Sequence, residues 1–465
     1  MTRIRAILVW LAIGWLATGW LALGTPLMAD QPAPNSDESQ ASEKKQLADY
    51  YELLRLFVDT LDQVERNYVE DVSRRELLEA AIDGMLSKLD QHSDYIAPED
   101  MDRFKTGVES EFGGIGIHVS KHPGSRDSLR IISPLVGSPA YRAGIMAGDV
   151  ITHVMGEPTR DLNLDDAVRK MKGPIGTPVR ITVRRAADGA SKELELLREV
   201  VRVDTVLGDE RNDDDSWNFL YDDSTKVGYI RVTGFARRTT NDLRAAIRQL
   251  REKDVKGLIL DLRNNPGGLL STAIQVSDIF VASGLIVRTE GRNTKPQSWD
   301  AGKGDLFEEG PMVILVNRGS ASASEIVAAC LQDHGRAVII GERTFGKGSV
   351  QNIIELEEGR SALKLTTAGY IRPSGMNIHR FPNDDEDDEW GVRPDDGFEV
   401  KVSRAERKRL NEIRRARDIV GHKAVDDSDQ GTENDEAAYD RVLEKALAYL
   451  HETSDEAVAA DSDEE

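Results

Sequence analysis

Apolar positions between Glu43 and about Phe104 recur at helical spacing. Tyr50, Leu54, Phe57, Val58 and Leu61 form one such stripe, and Leu77, Ala80, Ala81, Met85, Leu86 and Leu89 form another. The pattern then changes. From Phe112 onward, short β-type runs (115–119, 129–132, 149–154 and 179–183) are divided by Gly and Pro, with short helical stretches near 138–143 and 164–171. A polar, acidic stretch over 201–223 reads as a connector. Beyond it, strands and helices alternate: strands at 227–232, 257–262, 312–316 and 337–340, with helices at 241–253, 270–281 and 322–334 between them. That alternation predicts a helix-covered sheet with parallel pairings. Runs at 350–356 and 362–371 predict a strand hairpin, and helices are expected at 405–417 and 437–450.

The chain is therefore expected to be an α/β multidomain protein. Its expected parts are a targeting segment (1–29), a linker (30–45), a helical region (46–105), a β-rich domain (106–202), an α/β core (203–403) and a helical, acidic tail (404–465). At 465 residues it is long enough for two or three cores. Its net charge of −22 argues against nucleic acid as a partner, because phosphate binding needs a basic surface. Much of the acid is local, in 383–389 and near the C-terminus, where such runs are usually solvated. Its one cysteine, Cys330, sits in an apolar helical run and is expected to be a core residue.

Arg3 and Arg5 precede an uncharged apolar run over 6–24, and Pro26-Leu27-Met28-Ala29 offers a cleavage point. The run suits a signal peptide or an N-terminal anchor that tethers the chain to a membrane. Both readings place the rest of the chain outside the cytoplasm, in the periplasm or cell envelope.

Candidate chemistry concentrates in Gly319-Ser320-Ala321-Ser322-Ala323-Ser324-Glu325, at the mouth of an apolar helix. A helix start offers unpaired N–H groups and the positive end of the dipole, which favour the negative charge that develops in acyl transfer. One serine there is ordinarily an N-cap, but three cannot all cap one helix. Asp261 to Gly268 joins an apolar strand to a helix through Pro266-Gly267-Gly268. This is either a plain turn or half of an oxyanion hole, with the Gly268 amide beside that of Ala323. Lys347, between Gly346 and Gly348, leads into a strand-like run in which Gln351 falls on the same face. A lysine base must be neutral, so desolvation has to bring it down from about 10.4.

Rival readings are weaker. Gly341 to Lys347 has phosphate-loop spacing, but Gly348 stands where Ser or Thr should bind magnesium, and a strand-like run follows where a helix is needed. A Ser-His arrangement would need a distant histidine such as His379, since His334 lies at the far end of the same helix. His118 and His122 have no further ligand close by in sequence, so neither metal nor other cofactor is expected.

Together these segments resemble the carboxyl-terminal processing (tail-specific) proteases. The 316–326 segment resembles the family's nucleophile segment, 344–351 its lysine segment, and 261–268 its Pro-Gly-Gly turn. The resemblance implies Ser322 as nucleophile, Lys347 as base and Gln351 as its orienting group. It also implies a PDZ domain from Phe112 to about Arg198, preceding a crotonase-like α/β core. In that domain Gly113, Gly114, Ile115, Gly116 and Ile117 would bind a substrate's terminal carboxylate. The expected function is cleavage of proteins near free C-termini, compatible with an activating partner or self-association. The alternative is a non-catalytic PDZ scaffold that delivers tails to another protease. An acidic insert, 383–389, separates Asn377-Ile378 from the Gly391 to Asp395 signature and departs from the family pattern.

Overall fold

In the parallel core, every residue of the strands Gly257–Asp261 and Met312–Val316 is buried. A strand covered on both faces has no polar side, which is why these segments read as unbroken apolar runs. The structure, a computed structural model, describes residues 36–109, 111–121, 129–302, 306–307, 310–421 and 439–463. The apolar run at 6–24 with its cleavage point, and His122, lie outside the described residues.

The chain divides into two compact units, 1–80 and 81–465. The first contains the helix Ser36–Asn67 and the start of the helix Arg74–Leu86. The long helix begins inside the segment expected to be a linker, because the residues after Pro34, among them Glu38, Glu43, Lys44 and Lys45, are mostly helix-compatible. Among the described residues no helix is long and apolar enough to cross a membrane.

In the second unit, strands Val227–Val232, Gly257–Asp261, Met312–Val316 and Val338–Gly341 pair in parallel in that order. Alternate residues serve the two faces. Ile230, Leu258, Leu260, Ile314, Val316 and Ile339 pack with the helices Thr239–Arg251, Leu270–Ser277 and Ala323–Asp333. Tyr229, Ile259, Val313, Leu315 and Ile340 pack against Val442, Leu443, Ala446 and Leu450 of the last helix, Arg441–Asp463. The segment read as a tail thus closes one face of the core sheet. That helix continues to Asp463, into the acidic end.

A second sheet joins Asp94–Ile96, Leu285–Gly291, Thr294–Asp300, Ser349–Leu356 and Ser361–Ile371, all pairing antiparallel. The 201–223 connector is itself built of short strands, two of which pair antiparallel with Val227–Val232.

The β-rich part has its own core around Leu129, Ile131, Ile151, Val179 and Ile181. Its sheet runs from Ile117–Lys121 at one edge to Ser191–Leu197 at the other. The strand Glu111–Gly114 pairs with Glu199–Arg202 at the junction with the core. The helix Arg404–Asp418 also ties the parts together: Arg414 and Arg417 reach Asp209, and the Val420 amide donates to Ser133 Oγ (3.1 Å).

Candidate active site

Ser322 stands immediately before the helix Ala323–Asp333, with φ +56° and ψ −115°. Positive φ is unfavourable for a serine and persists only where the surroundings impose it. Here the two flanking serines impose it. Ser320 Oγ donates to the Leu262 carbonyl (2.8 Å) and Ser324 Oγ to the Asn265 carbonyl (2.9 Å), so both are fastened to the Pro-Gly-Gly turn. Ser322 is the one left over. It is 6% exposed, and its hydroxyl lies within hydrogen-bonding reach of the Tyr370 phenol. Burial pushes that phenol up to about 12, against the hydrogen bond with Ser322.

The Pro-Gly-Gly turn presses directly on this point. A Cβ on Gly267, whose φ is +101°, would fall 2.7 Å from the Ala321 carbonyl oxygen and 2.8 Å from Ser322 Cβ. A Cβ on Gly268 would fall 2.3 Å from the Phe235 carbonyl oxygen. Only glycines permit this approach. Among the described residues, the amides of Gly268 and Ala323 have no acceptor, whereas the neighbouring amides of Gly267, Leu269, Ser324 and Glu325 are all bonded.

The lysine segment is bound to the serine segment by Glu325, which is fully buried. One carboxylate oxygen accepts from Thr344 Oγ1 (2.5 Å) and the Gly346 amide (2.7 Å); the other accepts from the amides of Ser322 and Lys347 (2.8 Å each). Burial pushes this carboxyl up, against the four donors that favour its charged form. The Phe345 amide adds a bond to the Ser320 carbonyl (2.9 Å).

Lys347 is half-buried. Desolvation lowers its pKa, Lys364 lowers it further, and Glu325 and Asp90 oppose both. Among the described residues its amine makes no hydrogen bond to Ser322 or Gln351. Gln351 Nε2 donates instead to Ser349 Oγ (2.9 Å) and Thr366 Oγ1 (3.2 Å). The pairing register shifts here: Val350 faces Ala368 and Gln351 faces Thr366, so Thr367 of the facing strand is the extra residue. The serine and lysine backbones are thus joined while the side chains are apart.

A cleft of 780 Å³ runs beside the lysine segment, lined by His92, Phe345, Gly346, His379, Phe381 and Trp390 among others. The acidic insert forms one wall. Arg343 donates to the carbonyls of Glu386 and Asp388 within it and of Trp390 just beyond it, and stacks 3.5 Å from the Trp390 ring centroid, while the Asp384 carboxylate accepts from the Phe381 amide (2.7 Å).

In the β-rich domain, Gly113 and Gly114 end the junction strand and Ile117 starts the edge strand. The carbonyls of Gly113, Ile115 and Gly116 point inward, accepting from Gly173, Ala140 and Leu135. Among the described residues the amides of Ile115 and Gly116 have no acceptor. Gly116, at φ +75°, has Ser138 Cβ 2.2 Å from where its own Cβ would stand.

His334 is remote from this chemistry and bonds to the Leu285 carbonyl (2.8 Å). Cys330 is fully buried, and burial pushes its thiol up to about 12. Among the described residues no cluster suits a metal.

Residues 226–395 match the model of peptidase family S41, and 130–185 match a PDZ domain. Residues 15–100 match the N-terminal domain of the activating protease CtpB. The carboxy-terminal-processing protease of Bartonella bacilliformis is 41% identical over 333 residues, covering 70% of this chain and 73% of the relative. The chain belongs to the S41 C-terminal processing proteases. The Synechocystis carboxyl-terminal-processing protease is 34% identical, over 72% of this chain and 74% of its own length. Among solved structures, a photosystem II D1 C-terminal processing protease aligns with 28% identity and a TM-score of 0.40, covering 74% of this chain and 92% of that one. This S41 chain is therefore a serine-type peptidase acting on proteins. Glu325 and Tyr370 carried no signal of their own in the sequence: Glu325 lay within the serine motif, but its partners are set by how the lysine loop folds back.

Proposed function

We propose that this protease is an exported endopeptidase that cleaves proteins near their C-termini through a Ser322–Lys347 dyad, on a crotonase-like core. The observation that carries the reading is the convergence at one point of the Ser322 hydroxyl at the helix start and, among the described residues, two acceptor-free amides, with the lysine backbone clamped alongside by Glu325. The neutral Lys347 amine takes the proton of Ser322 as Oγ adds to the scissile carbonyl. The Gly268 and Ala323 amides hold the resulting oxyanion. The tetrahedral intermediate collapses to an acyl-enzyme as the lysine passes its proton to the departing amine. Water then attacks by the same route in reverse. Gln351 orients the amine once Lys347 has turned toward Ser322.

The acceptor-free amides of Ile115 and Gly116, next to an unpaired edge strand, support recognition of a terminal carboxylate by the PDZ domain, with the tail added as a strand. The exposed Tyr50, Leu54 and Phe57 of the first helix support control by self-association or an activating partner. The apolar N-terminal run supports export, and sequencing the mature N-terminus distinguishes cleavage from a retained tether.

The test uses an unstructured protein with an apolar C-terminus, free or amidated. Ser322→Ala and Lys347→Ala are expected to abolish cleavage, with folding retained by circular dichroism, and amidation is expected to raise KM. Full activity in Lys347→Ala would defeat the dyad. Tail binding with no turnover in the native chain would point to a delivery scaffold.

A further inference from the structure

The helix Arg404–Asp418 follows the part of the chain shared with the S41 family. Its residues are mostly charged, and such a helix is ordinarily solvated. Two of its side chains nevertheless reach the segments that carry the chemistry.

Arg407 donates through one nitrogen to both carboxylate oxygens of Glu342 (3.2 and 3.0 Å) and to the Val402 carbonyl (3.1 Å). Glu342 is 5% exposed, follows the strand Val338–Gly341 and opens the loop that leads to Lys347. Its amide donates to the Val316 carbonyl (3.1 Å), and Arg318 of the nucleophile segment stands 3.5 Å from its carboxylate. Further along the helix, Asn411 Oδ1 accepts from Asn264 Nδ2 (3.2 Å). Asn264 leads into the Pro-Gly-Gly turn and is tied reciprocally to the nucleophile segment. Its amide donates to Asn317 Oδ1 (3.0 Å), Asn317 Nδ2 donates to Asn264 Oδ1 (3.1 Å), and the Gly319 amide donates to the same Asn317 oxygen (2.9 Å). Asn264, Asn317, Glu342, Arg407 and Asn411 all line one cavity of 40 Å³. Arg407 and Asn411, four apart, share one face of the helix. That face therefore grips the root of the lysine loop and the root of the oxyanion turn together.

We propose that Arg407 and Asn411 are positioning residues for the reaction: the helix fixes the lysine loop through Glu342 and the Pro-Gly-Gly turn through Asn264, and so sets the spacing of base, nucleophile and oxyanion donors. This rests on the Ser322–Lys347 reading above. The anchor at Glu342 is firm because its carboxylate is buried. Arg318 is farther away and largely exposed, so Arg407 is the near cation, and a shift of the loop away from it would strand the charge.

Positioning and plain stabilisation predict different results. Exchanging a buried ion pair for neutral side chains of similar size is often neutral for stability. The double variant Glu342→Gln with Arg407→Met is therefore expected to keep a urea midpoint close to that of the native chain while losing the link. Its kcat on an unstructured protein at saturating concentration is expected to fall at least about tenfold, since a displacement of about 1 Å can cost about a hundredfold. KM is expected to stay within about twofold. Labelling of Ser322 by a fluorophosphonate, which needs no recognition of a tail, is expected to slow in parallel. Because one nitrogen of Arg407 serves both oxygens, an ammonium can stand in for it, and Arg407→Lys is expected to keep at least about a third of native kcat. Asn411→Leu is expected to lower kcat about threefold, the worth of one neutral hydrogen bond, whereas Asn411→Asp keeps the acceptor and is expected to match the native chain.

Lys347→Ala is assayed alongside. If it cleaves at the native rate, the dyad fails and the positioning of a lysine loop fails with it. If it is dead while the folded double variant keeps native kcat and labelling, the dyad stands and the inference is refuted. Should the double variant not fold, the Asn411 pair decides: equal kcat in Asn411→Leu and Asn411→Asp overturns the inference, and a loss confined to Asn411→Leu supports it.

Discussion

Replacing Glu325 tests how the two halves of the site are held together. Its carboxylate accepts four bonds in a fully buried position, two at each oxygen. A glutamine has almost the same shape but only one accepting atom. Its better orientation places the NH2 toward Thr344, whose oxygen can accept, and the carbonyl toward Ser322 and Lys347. The Gly346 amide is then stranded, and the Thr344 hydroxyl loses the acceptor for its own proton. An unsatisfied buried N–H costs about 1–3 kcal/mol, and the surviving bonds lose the strengthening that a charged acceptor gives. The sum is about 3 kcal/mol for Glu325→Gln. Glu325→Ala strands three amides and a hydroxyl and opens a void, so its cost should exceed about 5 kcal/mol. Activity should fall further than stability implies, since a displacement of about 1 Å between reacting groups can cost about a hundredfold in rate. Urea unfolding followed by fluorescence gives the first quantity, and kcat on a peptide substrate at saturating concentration gives the second. A Glu325→Gln protein with wild-type midpoint and wild-type kcat would refute the claim that this carboxylate joins the serine and lysine segments.

Two further predictions concern the core. Asp261 accepts from Tyr229 (2.6 Å) and from Arg263, which also reaches Asp440; burial works against its charge, but Arg263 leads the groups that hold its pKa at about 2, against an ordinary value near 3.8. A depressed folded pKa means stability that is complete above the unfolded value and lost as pH falls from about 4 toward 2, roughly 2 kcal/mol in all; Asp261→Asn should be less stable at pH 7 and should lose that acid-dependent step when unfolding is measured against pH. Leu450 is fully buried in the face closed by the last helix, so Leu450→Ala should cost about 3 kcal/mol in denaturant unfolding, and a loss below about 1 kcal/mol would mean the helix is not part of the core.

The parallel core was legible because strands covered on both faces have an unmistakable composition, as Leu258-Ile259-Leu260 and Val313-Ile314-Leu315 illustrate. The hairpin Leu285–Gly291 with Thr294–Asp300 was not, because its second strand is an exposed edge containing Pro296 and carries no period-two pattern. The last helix was legible as a helix from Val442, Leu443, Ala446 and Leu450, but which surface it covers is a property of the sheet and not of the helix. Within the site, Ser322, Lys347 and the Pro-Gly-Gly turn announced themselves by spacing. The partners of Gln351 did not: a bulge beside it changes the register, and bulges in a polar strand have no reliable sequence mark.

These observations locate the variable part of the machinery. The unfavourable backbone of Ser322 costs on the order of 1–3 kcal/mol, and it is over-determined by Ser320, Ser324, Glu325 and the close approach of Gly267. Of the proposed oxyanion donors, the Gly268 amide lies on the Pro-Gly-Gly turn and the Ala323 amide at the start of the helix fastened to it through Ser324. The backbone of Lys347 is fastened to Glu325 as firmly as that of Ser322. Of the proposed dyad, then, the lysine side chain is what remains free to move, on a flexible four-carbon stem. Activation on this geometry requires no rebuilding of the core. It requires the amine to swing toward Ser322 and the Ser322 hydroxyl to part from Tyr370, a rearrangement of side chains small enough for an arriving peptide to drive through its own contacts.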